Sequence, residues 1–197
     1  KFAGEIPVLQ LPADHTRPLV QTYRGDHVYF RFEPETSAQF RQLCQEQGAT
    51  LFMGLVALVR SLLYQYSGQA DIVIGSPVAG RDHPDLEGQI GYYLNTVELR
   101  RYIDARKGFA ELLQQEKKTV LEAFAHQVYP FDRLVEELGI ANNVSRAPLF
   151  DVAIVMQNIQ LNQESELSMD GIELGYFLED QDISKGDIRF QFVEEPG

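Results

Sequence analysis

Three observations predict a mixed β-sheet covered by helices, an α/β or α+β class. Strand-like and helix-like runs are interleaved along the 197 residues rather than gathered into separate blocks. LFMGLVALVRSLLYQYSG is apolar around most of its helical circumference, which only a largely buried helix tolerates. Residues 149–156 are a mostly apolar run of strand length and read as a central strand covered on both faces.

Residues 1–25 carry the spaced prolines Pro7, Pro12 and Pro18 and read as an extended linker or strap. Over 26–32, Val28, Phe30 and Phe32 alternate with His27, Tyr29 and Arg31, the period of a half-buried strand. Thr36 and Ser37 are N-cap candidates for AQFRQLCQEQG, which Gly48 closes, and Thr50 is the candidate cap of the apolar helix. In ADIVIG a strand closes at Gly75, and Pro77 and Gly80 then turn the chain away. A loop rich in glycine and charge leads to a second strand over 92–100. Residues 108–126 form an amphipathic helix with Glu116 inside its apolar stripe, read as an edge side chain that reaches water. A short helix over 131–138 ends at Gly139, and strand candidates at 172–178 and 187–193 close the chain.

Composition narrows the function. With 44% apolar and 23% charged residues the chain holds a sizeable core, and a net charge of −12 argues against nucleic-acid and anionic-membrane partners. The apolar helix is interrupted by Arg60 and is too short to span a bilayer, so no membrane association is expected. The single cysteine, Cys44, excludes an internal disulfide and reads as a core thiol in a cytoplasmic protein. No signal peptide pattern opens the chain, and a start without Met suggests a piece of a longer polypeptide.

None of the four histidines has the spacing of a catalytic or metal pair, and no metal site is expected. HExxH, GxSxG, Walker and GxGxxG patterns are absent. His126 ends a helix, where it complements the dipole. The stretch 74–100, IGSPVAGRDHPDLEGQIGYYLNTVELR, carries the strongest local character, since Gly80, Gly88 and Gly91 permit close backbone approach around an exposed charged turn.

Several segments together resemble the condensation domains of nonribosomal peptide synthetases. They are TLFMGLVALVRSLLYQYSGQADIVIGSPVAGR, GQIGYYLNTVELR, HQVYPFDRLVEELG and SRAPLFDVAIVMQN, in the family's order from Thr50 to Asn158. DISKGDIRF is similar to a later family segment but has Gly186 where the family usually has Phe. The resemblance implies one half, the C-terminal subdomain at 26–197, of a chloramphenicol-acetyltransferase-like fold of two subdomains around a tunnel. The catalytic HHxxxDG motif belongs to the other subdomain, and no adjacent histidine pair occurs here. The chain is therefore expected to lack the catalytic residues and to be inactive alone.

On the same resemblance, residues 76–91 correspond to a floor loop and 168–185 to a latch. Asn95 and Gln157 are candidates for the tunnel wall, and a carboxamide there can donate to and accept from an amide or thioester. Asn95 has a second reading as a side chain bonding backbone, and Gln157 with Asn158 has one as a cap on the sheet. Gly80, Gly88 and Gly91 with Arg81 would shape the floor loop, Arg81 through a salt bridge, and Arg146 would hold a loop. The implied partners are the N-terminal subdomain and two peptidyl carrier proteins whose phosphopantetheine bears the substrates, with no cofactor bound to the chain itself. A basic patch of Arg100, Arg101, Arg106 and Lys107 would receive the acidic carriers. Epimerising, cyclising or ester-forming relatives, and a non-catalytic module that recruits a partner enzyme, remain alternatives.

Overall fold

The computed structural model describes residues 2–86, 88–140, 143–157 and 183–194. Among these residues four strands form one mixed sheet in the order β2-β1-β3-β4, with β1 (Asp71–Val78) antiparallel to β2 (Asn95–Tyr102) and parallel to β3 (Val152–Gln157), which in turn runs parallel to β4 (Ile188–Val193). Helices α1 (Pro34–Glu46), α2 (Leu51–Ser67) and α3 (Phe109–Phe124) accompany it, with the short α4 (Phe131–Glu137) after α3. The mixed sheet with helices is the architecture the sequence predicts.

α2 forms where the apolar pattern places it. Thr50 Oγ1 accepts a hydrogen bond from the Met53 amide at 3.3 Å, and Gly68 at φ 68° receives the chain in the left-handed conformation that ends the helix. Val56, Ala57 and Val59 are buried against Ile72, Ile74 and Leu99, so one face of the sheet and one side of α2 make a common core. Cys44 belongs to this core, where burial pushes its thiol pKa up.

Several boundaries differ from expectation. α1 starts at Pro34 rather than after Thr36 or Ser37, because a proline in the first turn has its φ already set and needs no amide partner there. β1 does not stop at Gly75 but runs to Val78. A Cβ on Gly75 would lie 2.3 Å from the Phe150 ring, so glycine marks ring packing and not a strand end. Pro77 is tolerated because β3 pairs with β1 only at Ile74 and Gly75, leaving that side of Pro77 without a ladder partner. β2 begins at Asn95, three residues later than expected, and Tyr92 is exposed.

The strand expected over 26–32 does not form. Val28, Phe30 and Phe32 are 76%, 86% and 56% exposed, and the only pairing nearby among the described residues is the isolated Arg24–Ile183 bridge. Alternation names the face that would be buried, but a strand also needs a partner ladder. The strand candidate at 172–178, Asn158, and the latch-like segment apart from residues 183–185 lie outside the described residues.

Glu116 is the clearest departure. It is 0% exposed, as is Arg60, and their Oε1 and Nε atoms lie 2.6 Å apart. Arg60 also donates to the Ile72 carbonyl at 2.6 Å and the Leu99 carbonyl at 2.7 Å. Each charge inside an apolar stripe is compensated by the other, so neither needs to reach water. No single described helix is long and apolar enough to cross a membrane.

Candidate functional site

Strand directions decide which candidate residues meet. β1 and β3 are parallel, so Val78 and Gln157 end at the same side of the sheet, and antiparallel β2 starts there with Asn95 opposite Val78. Gly80 and Arg81 follow β1 at that end. With β1 between them, Asn95 and Gln157 are separated laterally by about 10 Å, two strand spacings. The pairings Gly75–Glu98 and Gly75–Ala153 put Glu98 and Gln157 on one face, and Asn95, in register with Val78, starts on the other.

Asn95 is fully occupied as a donor. Its Nδ2 donates to the carbonyls of Gln127 at 2.7 Å and Tyr129 at 2.8 Å, and its Oδ1 accepts from the Phe131 amide at 3.1 Å. One side chain thereby fastens the α3–α4 connection to the start of β2. These are backbone bonds, but to residues 32 to 36 positions away rather than to neighbours in the chain. Gln157 Oε1 accepts from Gln191 Nε2 at 2.8 Å, across the β3–β4 pair.

The loop after β1 is held by Arg81. Its guanidinium donates to the carbonyls of Leu86 and Gly91 and lies over the Tyr93 ring, 4.4 Å from the centroid. Among the described residues it makes no salt bridge, so the anchoring is by carbonyls and a ring rather than by a carboxylate. Gly80 adopts φ 62°, and a Cβ there would lie 1.9 Å from the Tyr93 carbonyl oxygen. Gly91 is crowded by the Tyr93 ring, whereas nothing lies within 4 Å of a Cβ at Gly88.

Arg146 sits at the other end of the sheet, before β3. It donates to Asp151 Oδ2 at 2.7 Å and to the Leu9 carbonyl at 3.2 Å, tying the strap to the segment that enters β3. The expected basic patch is not available as such. Arg100 is bonded to both oxygens of Asp71 and to the Glu5 carbonyl, while Arg101 bonds Thr119 and the Gln115 carbonyl. As adjacent strand residues they point to opposite faces. Arg106 pairs with Asp104 and Lys107 with Glu111, so each cation faces its own partner.

Sequence reasoning missed Glu98. Its Oε1 is buried with no hydrogen-bond partner among the described residues, and burial raises its carboxyl pKa to about 7, opposed only by its own backbone amide. Alternation along TVELR is the signal that would have placed it opposite the helix-covered face.

The mixed sheet with its helices has the chloramphenicol-acetyltransferase-like architecture of condensation domains. The chain belongs to the condensation-domain family, whose model matches residues 1–197. It is 43% identical over 193 residues to bacitracin synthase 3 of Bacillus licheniformis, a match that covers 98% of this chain and 3% of that protein. A holo four-domain nonribosomal peptide synthetase bound to AMP and glycine superposes with a TM-score of 0.76 at 28% identity, over 78% of this chain and 12% of that one. A complex of the X-domain and OxyB from teicoplanin biosynthesis matches at TM-score 0.72 and 28% identity, over 78% of this chain and 34% of that one.

Proposed function

We propose that the chain is the C-terminal half of a condensation domain that joins carrier-bound aminoacyl or peptidyl thioesters by amide-bond formation. The observation that carries this reading is a family match over all 197 residues in a sequence without HHxxxDG. In this reading 26–197 is the subdomain, 1–25 the strap that leads into it, and the sheet end with Asn95, Gln157 and the 76–91 loop faces the tunnel. The partners are the N-terminal subdomain, which brings the catalytic histidine, and two carrier proteins in the cytoplasm whose phosphopantetheine presents the thioesters.

The acceptor amine must lose a proton as it attacks the donor thioester, and a base within hydrogen-bond reach is needed for that. This half supplies position rather than the base. Asn95 holds residues 127–131 in place, and its Oδ1, with one bond, has capacity to accept a second. In the complete enzyme, Asn95→Ala is expected to lower amide formation from carrier-bound thioesters by about tenfold or more, on the scale of one displaced catalytic contact. Circular dichroism checks that the variant is folded. Unchanged turnover would remove Asn95 from the tunnel wall.

A second reading is a non-catalytic recruitment module, favoured by the likeness to the X-domain solved in complex with OxyB. It predicts a parent polypeptide that lacks HHxxxDG and binds a partner enzyme without forming amide bonds.

A further inference from the structure

Residues 26–32 carry the alternation of a strand, yet Val28, Tyr29, Phe30 and Phe32 are exposed and the segment has no ladder among the described residues. Large apolar side chains gathered so closely in the chain form a patch that calls for a cover. Asp26 and Glu33 flank it and the chain carries a net charge of −12, so an anionic lipid surface is a poor one.

The bridge at the start of the segment says what the cover is. Arg24 pairs antiparallel with Ile183, and the Ser184 amide donates to the Tyr23 carbonyl at 2.8 Å. A Cβ on Gly25 would lie 2.7 Å from the Ser184 Cβ, so glycine lets the two backbones meet here. Antiparallel direction then fixes the neighbour: as one chain leaves Gly25 toward Phe32, the other runs back from Ile183 toward residue 175.

We propose that residues 26–32 are the docking strand for residues 175–181 of the same chain, GYFLEDQ, which lie outside the described residues. In the register that the bridge sets, Phe30 faces Phe177 and Val28 faces Glu179, while Tyr29 faces Leu178 and Arg31 faces Tyr176. The bond from Ser184 to Tyr23 makes 23–184 a hydrogen-bonded position. The pairs 24–183, 28–179 and 30–177 are therefore non-hydrogen-bonded ones, where side chains across a ladder approach most closely. An aromatic pair at 30–177 is among the more stabilising cross-strand contacts. The pairing requires only the bridge and the two sequences, and it holds for either reading of the function.

Disulfide trapping in the full chain tests the register, with the buried Cys44 left in place. Phe30→Cys with Phe177→Cys, and Val28→Cys with Glu179→Cys, should close under mild oxidation about tenfold faster than Phe30→Cys with Tyr176→Cys, whose side chains would point to opposite faces. Positions 28 and 30 are exposed, so these changes spare the core. Hydrogen exchange in the unsubstituted chain gives a second measurement. The amides of Tyr29 and Arg31, at hydrogen-bonded positions, should exchange about tenfold more slowly than those of Val28 and Phe30, which point away from the partner strand. Equal closure of in-register and slipped pairs, linked dimers in place of closed monomers, or uniformly fast exchange over 27–32 would each overturn the proposal, the dimers by giving the strand to a second copy.

Discussion

Arg60 and Glu116 bury opposite charges between α2, α3 and the sheet, and Arg60 has three further carbonyl contacts, with Ile72, Leu99 and Arg101. Desolvation lowers the arginine pKa, and Glu116 works against that fall. Removing one partner strands the other, so Arg60→Met or Glu116→Gln should each lose about 3–5 kcal/mol in urea unfolding. Replacing both by apolar residues should recover most of the loss, which single-mutant additivity cannot give. Two single losses below about 1 kcal/mol would show that water reaches the pair. The sequence displays both residues inside apolar stripes, but periodicity along one helix cannot say that two stripes face each other.

Glu98 makes a pH-dependent prediction. Below the ordinary carboxylate pKa it is protonated both folded and unfolded and costs nothing. As pH rises toward about 7 the unfolded chain ionises first, and stability falls until the folded group ionises too. Glu98→Gln should therefore be neutral near pH 4 and stabilising above pH 7, by about 1 kcal/mol after allowance for partial solvent access. Equal thermal midpoints for the two proteins at about pH 8 would contradict the burial of that carboxyl.

At the scale of elements, the sequence reveals the helices and strands more clearly than their ends. α2 is legible because cap, apolar pattern and terminal glycine agree. β1 is misread at Gly75 and Pro77, residues that usually end strands, because their tolerance comes from Phe150 and from the short β3 pairing, both distant in sequence. Gly75→Ala should drive a methyl into the Phe150 ring and cost about 1–3 kcal/mol, largely relieved by Phe150→Leu. An alanine variant with wild-type stability would mean that the ring moves aside freely. The 26–32 segment fails in the opposite way, since its alternation is clear but the described residues supply no ladder for it.

For the whole molecule, parallel β1 and β3 assign the candidate residues to two ends of the sheet. Asn95, Gln157, Gly80 and Arg81 gather where these strands finish, and Arg146 lies where they begin. Neither grouping is legible before the topology, because strand direction is not written in any local pattern. The family is legible, since four motifs in order are a longer signal than any single site. With a charge of −12 and each cation of the expected basic patch already paired, that patch offers no unpaired cations to the carrier proteins proposed as partners. The proposed division of labour between two halves is tested by amide formation between donor and acceptor thioesters, measured side by side for this chain and a complete parent condensation domain that contains it. Product is expected from the parent and only the uncatalysed rate from the chain, whereas a rate near the parent's from the chain alone would overturn the assignment of the catalytic base to the other half.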